Sequence, residues 1–280
     1  MVVQARLASA VMLLRPRIGV REAEQGEGKG RGFEVFMVRR VIQSDFMPDV
    51  YVFPGGSVTA DDRAAEQAEG ICQPVTAAFA DPEGRTALGG GTRAAAIREL
   101  FEEAGILLAE REGAALSFSE ENSPRFKAYR EAFQQRKGSL VRMAEAERLT
   151  LATGQLSYFE HWITPEGMPK RFDTHFFLAT APEGQQAVYD RLETSEGVWI
   201  TPAEALARFE RGEFPIVFAT IYQLRDLAAF TTIEESLAYT AMHHVPVRQP
   251  VLIQEDGVTR VHLPGEAHNT WVVPENMTRQ

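Results

Sequence analysis

Three glutamates crowd the run Arg98-Glu99-Leu100-Phe101-Glu102-Glu103-Ala104-Gly105-Ile106. On an α-helix successive residues advance by about 100°, so Glu99 and Glu103 project within about 40° of one another, with Glu102 about 60° to their other side. Carboxylates at this spacing repel and weaken an isolated helix. Arg98 can pair with Glu102 one turn on. The remaining charge calls for a cation, and a cluster of hard oxygens with no His or Cys near it suits Mg²⁺ or Mn²⁺. Ala94, Ala95, Ile97, Leu100 and Phe101 cover much of the rest of the helix, and Gly105 offers a left-handed stop. The acidic face therefore belongs to a helix seated on a core, whereas a solvated acidic stripe is the ordinary fate of such residues on a surface helix.

The elements that must position this face follow from hydrophobic patterning. Residues 6–14 and 33–40 read as strands joined by a Gly- and Glu-rich turn over 22–32. A short strand, Val50-Tyr51-Val52-Phe53, runs into Pro54-Gly55-Gly56, which permits a tight turn and a close approach of backbone to ligand. A helix is expected near 62–71. One or two amphipathic helices are expected over 124–151, where Phe126, Tyr129, Phe133, Leu140, Met143 and Leu149 recur at near-helical spacing. They read equally as a cap on the core and as a substrate lid. Strands return at 158–163, 172–179 and 198–200. Thr201-Pro202 then opens a helix ending near Gly212, Pro215 opens another to about Phe230, and 233–242 reads as a third. The tail returns to β at 245–253 and 258–263, across Glu255-Asp256-Gly257. This order implies an α+β fold with a mixed β-sheet sandwiched between helices.

The motif Arg-Glu-Leu-x-Glu-Glu-x-Gly-Ile over 98–106 resembles the second half of the nudix box, the metal-binding loop-helix of nudix hydrolases, and Pro54-Gly55-Gly56 resembles its entry. The box is split. Counting from Gly56, the position that usually holds Glu holds Asp62, and the gap from there to Arg98 is longer than usual by about 28 residues. Closing a longer loop costs little extra entropy when its ends are held, so the halves can still meet. Further phrases extend the likeness: Phe46-Met47-Pro48, Trp162-Ile163-Thr164-Pro165, Arg171-Phe172-Asp173-Thr174 and Val261-His262-Leu263-Pro264-Gly265. Together they resemble the split-box nudix branch that contains the mammalian peroxisomal coenzyme A diphosphohydrolase.

The resemblance implies one nudix domain over 1–280, with insertions at about 63–90 and 110–155, that hydrolyses a diphosphate linkage. Its expected substrate is coenzyme A or acyl-CoA, giving (acyl-)phosphopantetheine and adenosine 3′,5′-bisphosphate. The alternatives are a nudix pyrophosphatase acting on ADP-ribose, NADH or a nucleotide, and a non-catalytic nucleotide-binding module. The expected metal site is Glu99, Glu102 and Glu103 with the backbone of Gly56, and the expected ion Mg²⁺ or Mn²⁺. Candidate catalytic residues are Arg98, which orients a carboxylate, and Glu102 or Glu103 as base, with Glu196, read as a loop acid, as the outside candidate. Arg39, Arg40, Lys170 and Arg171 are the candidate phosphate grips, each equally readable as a surface ion-pair residue. His175, His243, His244 and His262 lack ligand spacing with one another and read as core or surface residues.

Composition bounds the setting. With 280 residues, 44% of them apolar, the chain can bury a sizeable core. A net charge of −10 argues against nucleic acid or an anionic membrane as partner and leaves a small-molecule nucleotide to be met locally; a homodimer is left open. The lone Cys72 excludes an intrachain disulfide and fits a reducing compartment. The apolar run 8–14 is followed by Arg15, Arg17 and Arg21, so it reads as a strand rather than a signal core, and residues 277–280 match no peroxisomal address. A cytoplasmic protein is expected.

Overall fold

Strict alternation builds the central sheet. Strand β1 (Arg6–Pro16) sends Val11 and Leu13 to one face and Met12 and Leu14 to the other, and β2 (Phe33–Arg40) divides Phe36 and Val38 from Val35 and Met37 in the same way. Both faces are thus apolar, and a sheet of this kind needs helices on each side. The structure, a computed structural model, describes residues 3–17, 32–44, 47–75, 88–266 and 270–273. The expected turn at 22–32, apart from Gly32, lies outside the described residues, as do Phe46 and the middle of the first insertion.

The remaining strands are β3 (Tyr51–Val52), β4 (Gly55–Ser57), β5 (Ala109–Arg111), β6 (Ala114–Ala115), β7 (Leu149–Leu151), β8 (Ser157–Ile163), β9 (Phe172–Thr180), β10 (Thr194–Ile200), β11 (Val247–Arg248), β12 (Val251–Glu255), β13 (Val258–His262) and β14 (Thr270–Val272). The main sheet runs β10-β2-β1-β9-β8-β11, with β3 paired to β2 and β4 to β1. It is mixed: β1 lies parallel to β9 and β11 to β8, while the other pairs are antiparallel.

The helices are α1 (Ala60–Gln67), α2 (Thr92–Ala104), α3 (Ser123–Gln134), α4 (Leu140–Glu147), α5 (Pro202–Glu210), α6 (Phe218–Ala228) and α7 (Ile233–Met242). α2 packs its Ile97, Leu100 and Phe101 on the Val11 and Leu13 face. On the Met12 and Leu14 face lie Ala205 of α5 and Leu224 and Leu227 of α6. The α+β architecture with a mixed sheet between helices is as expected.

Four local expectations shift. Gly55 and Gly56, expected in a tight turn after Pro54, lie in the strand Gly55–Ser57, because β1 supplies the pairing that glycine's own propensity does not. Pro215 does not open α6. Residues 215–217 stay extended, since the Pro215 carbonyl accepts the Tyr51 N–H and Ile216 bridges to Tyr51. The helix expected near 62–71 begins at Ala60, where Thr59 and Asp62 form a reciprocal capping box. Glu196 lies within β10 rather than in a loop.

The two segments read as insertions grip α2 at its two ends. Glu66, buried at the end of α1, accepts hydrogen bonds from the N–H groups of Gly89, Gly91, Arg93 and Ala94. Those of Arg93 and Ala94 are donors a helix start leaves unpaired, those of Gly89 and Gly91 fix the glycine turn that leads into it, and a carboxylate there also complements the helix dipole. At the other end Arg130 of α3 donates to the carbonyls of Glu102 and Glu103, and Gln134 to that of Glu102. Phe133 meets Phe101 edge-on at 6.1 Å. α1 is joined to α4 by Asp61, which accepts from the Ser139 hydroxyl and the Leu140 N–H. The 124–151 helices pack on the core through Phe126, Phe133, Leu140 and Met143. Glu66→Ala is expected to cost about 3 kcal/mol, since several charge-assisted bonds to a buried helix start vanish together; urea unfolding would measure it.

Candidate active site

The split box closes in space. β1 brings Gly55 and Gly56 into register with Ala10 and Ser9, and α2 lies across them. The Gly55 N–H donates to a Glu103 carboxylate oxygen at 3.1 Å. A Cβ on Gly56 would lie 2.3 Å from Glu99 Oε1, so only glycine lets the backbone reach that carboxylate. A Cβ on Gly55 would instead meet the Ser9 carbonyl oxygen and the Ala10 Cβ, each at 2.5 Å. The two glycines differ in consequence. Gly55→Ala must move backbone and is expected to destabilise the fold. Gly56→Ala need only push aside a side-chain end, so the expected result is a folded protein with Glu99 displaced and turnover reduced about 10²-fold; melting curves and kinetics together would check the distinction.

Arg98 organises the acids. Its Nε and Nη2 donate to the two oxygens of Asp62 at 2.8 and 2.9 Å, Nη1 donates to Glu99 and Glu102 at 2.8 Å each, and Nη2 also reaches the Ser57 carbonyl at 2.9 Å. Bidentate pairing of this kind fixes orientation as well as charge. Asp62 is wholly buried, and the shorter acid at the usual Glu position therefore serves as the partner that holds Arg98 while capping α1. Burial opposes the Arg98 charge, but Glu99 and Asp62 keep the guanidinium firmly protonated.

The carboxylates are electrostatically unsatisfied. Burial pushes Glu99 up to about 7, against the pull of Arg98 and with Glu102 adding to the push. Burial also raises Glu103 well above the usual carboxylate range, Glu99 adding to it and Arg40 and the Gly55 N–H opposing. Glu102 is raised by burial despite its Arg98 bond. Four acids converge here, with Arg98 bonded to three of them and Arg40 acting on Glu103 from further away. Excess negative charge on hard oxygens, packed beside a backbone that only glycine permits, fits a divalent cation of the Mg²⁺ or Mn²⁺ class.

The other sequence candidates are distributed unevenly. Arg40 is held by Ser44 Oγ at 2.7 Å from Nη2, and its charge favours ionised Glu103. Arg39 pairs with Asp49 at 2.8 Å. Glu196, opposite Arg39 in the β10–β2 register, accepts a 2.6 Å hydrogen bond from the Tyr51 hydroxyl. The Tyr51 ring stacks on Phe214 in the core that faces α5 and α6, the side of the sheet away from α2, and burial with the Glu196 contact pushes its hydroxyl up to about 12. Arg171 is buried and donates to the carbonyls of Thr164 and Val3, so it ties the β8–β9 connection to the start of β1. Lys170 is exposed on that connection. The sequence reading missed Glu66, Arg130 and Gln134, which hold α2 in place, and also missed the contact of His161 with His175 across β8 and β9.

A mixed sheet carrying a loop-helix whose buried carboxylates close on a glycine turn defines a nudix hydrolase. The chain belongs to the NUDT19 Nudix domain family, which matches residues 5–227, and is a nudix diphosphohydrolase. It is 27% identical over 269 residues to the acyl-coenzyme A diphosphatase NUDT19 of Xenopus laevis, covering 84% of this chain and 70% of that protein. The human protein of the same name is 28% identical over 274 residues, covering 84% and 72%. Among solved structures, a NUDIX hydrolase from Alicyclobacillus acidocaldarius superposes with a TM-score of 0.68 at 25% identity, covering 84% of this chain and 96% of that one. No helix among the described residues is long and apolar enough to cross a membrane.

Proposed function

We propose that the chain acts as one nudix domain that hydrolyses the diphosphate linkage of coenzyme A or an acyl-CoA, with Mg²⁺ or Mn²⁺, to (acyl-)phosphopantetheine and adenosine 3′,5′-bisphosphate. The observation that carries this reading is the convergence of Glu99 and Glu103 on Gly55 and Gly56 across the interrupted box. The substrate class is taken from the two named acyl-coenzyme A diphosphatases. Glu99 and Glu103 would hold the ion, with Glu102 contributing directly or through water and the Gly56 backbone beside them. A cation held there would supply charge neutralisation for the diphosphate and would make the attacking water easier to deprotonate.

The protein's own groups do the rest. Arg98 fixes the orientation of Glu99 and Glu102. Arg40, the cation whose charge reaches Glu103, meets the entering phosphates. Water adds to one phosphorus as the bridging oxygen leaves with the other phosphate, and a box carboxylate, Glu102 or Glu103, receives the water's proton. Glu196 sits with Tyr51 on the far side of the sheet, so Glu196→Gln is expected to change kcat by no more than about 3-fold, where loss of a general base costs about 10²–10⁴.

The test is a substrate panel with Mg²⁺: CoA, an acyl-CoA, ADP-ribose, NADH and a nucleoside triphosphate, with products separated by chromatography. Adenosine 3′,5′-bisphosphate should accumulate from the first two. Cleavage of ADP-ribose or NADH with CoA untouched would reassign the substrate. Binding without turnover of any panel member would make the protein a nucleotide-binding module.

A further inference from the structure

Among all the described residues, the box included, His161, Asp173 and His175 are the one group of three metal-capable side chains whose ligand atoms all lie within 4.8 Å of one another. The β8–β9 register sets His161 opposite His175, and the two rings stack with centroids 4.4 Å apart. Asp173 stands two residues before His175 on the same strand face. Its Oδ1 meets Nε2 of His161 and lies 3.9 Å from Nε2 of His175. Both imidazoles are buried, while the Asp173 side chain is 33% exposed, so the cluster opens to one side.

We propose that His161, Asp173 and His175 form a binding site for a late first-row divalent cation of the zinc class, separate from the box. Two imidazole nitrogens and one carboxylate oxygen are a donor set such ions favour, and three protein ligands leave a fourth position for water. The box offers oxygens alone. The two sites thus select different ions by donor chemistry.

Two orphaned polar atoms flank the cluster. His161 Nδ1 and Ser9 Oγ are both buried without a hydrogen-bond partner. Ser9 is wholly buried and pairs with His175 in the β1–β9 register, on the same face as Val11 and Phe177, which pack under α2. Buried polar atoms are usually paired, so these two leave hydrogen-bonding or ligating capacity at the group that its apolar surroundings do not use. The same row continues from Ser9 to Gly56. At about 4.8 Å between strands, His175 lies about 10 Å along the sheet from the glycine turn. The proposed site and the box therefore share one face of the sheet.

Zn²⁺ alone is the probe, titrated calorimetrically into the full chain carrying Glu99→Gln and Glu103→Gln to silence the box. One equivalent should bind. Adding Asp173→Asn or His175→Gln should weaken it by at least about 100-fold, beyond the 10–100-fold that loss of an outer partner costs. Two single variants are used so that one folded protein suffices, and metal-free melting curves establish which is folded. Co²⁺ in the box-silenced parent should give the visible spectrum of a nitrogen- and oxygen-ligated ion, and zinc-edge anomalous scattering should peak within bonding distance of the ring nitrogens of His161 and His175 and the Asp173 carboxylate. No bound equivalent, a peak elsewhere, or unchanged affinity in a folded variant would overturn the proposal.

Discussion

Glu103→Gln protein is expected to remain folded and to lose at least about 10³-fold in kcat, or about 4 kcal/mol of transition-state stabilisation. Glutamine keeps the shape and an acceptor oxygen for the Gly55 N–H, so the turn and α2 stay in place. What disappears is one negative charge from a crowded set. In metal-free buffer that loss relieves repulsion with Glu99, so the melting temperature should hold or rise. The stabilisation that Mg²⁺ gives the parent protein, which follows from binding the folded state alone, should vanish with it. The parent's pH response has a defined sign. Glu99 and Glu103 are both raised above the ordinary carboxylate value of 4.5, Glu99 to about 7, so the folded metal-free protein holds protons that the unfolded chain releases. The stability these two groups contribute is then fully present below about pH 4.5 and is lost as pH rises through about 7. Saturating Mg²⁺ should flatten that decline, and melting curves at several pH values, with and without the ion, would show it.

The parts of this site that sequence could reveal are those written in local periodicity. The acids of α2, its apolar face and its stop are set by residues three and four apart, and Gly105 does adopt the left-handed conformation, with its N–H on the Phe101 carbonyl. The bounds of β2 are legible because a continuous apolar run, Val35 to Val38, buried on both faces of the sheet, is closed by Arg39 and Arg40. The long detour between Gly56 and Arg98 was legible as a count, but its solution was not. Glu66 and Arg130 bond to backbone groups tens of residues away, and nothing in their immediate neighbours distinguishes them from solvated helix charges. Asp62 shows the same limit. A shortened side chain at a functional position raises doubt on paper, and only the fold shows that Arg98 comes to it.

The His161–His175 contact was hidden by register. A shift between Tyr158 and Glu160 changes which residues face each other along β8 and β9, so spacing in the chain does not give pairing across the hairpin. Glu196 illustrates the converse. Its place just before an apolar strand reads as a loop acid, yet strand pairing with Arg39 fixes which side of the sheet it serves. One residue of register separates the face that carries α2 from the face that carries α5 and α6.

Arg98→Met should be the most damaging single change to the fold around the box, at about 3–5 kcal/mol, because it strands Asp62, a wholly buried carboxylate, without its ion partner. It should abolish turnover too, but the two losses have different origins and can be separated. In the Arg98→Met, Asp62→Leu double variant no charge is left stranded at the α1 side, so much of the stability should return, as apolar replacement of a whole buried pair often allows. Activity should not return, since Glu99 and Glu102 still lack the guanidinium that holds them at 2.8 Å. Arg98→Lys probes the remaining possibility, that charge alone suffices. A lysine ammonium restores the sign but cannot reach Asp62 with two parallel bonds while also serving two glutamates and the Ser57 carbonyl. Intermediate stability with kcat reduced at least about 10-fold is therefore expected, the loss falling on kcat rather than KM if the arginine positions the acids and does not grip substrate. Recovery of full activity in Arg98→Lys would show that the fork geometry is dispensable, and recovery in the double variant would remove Arg98 from the machinery altogether.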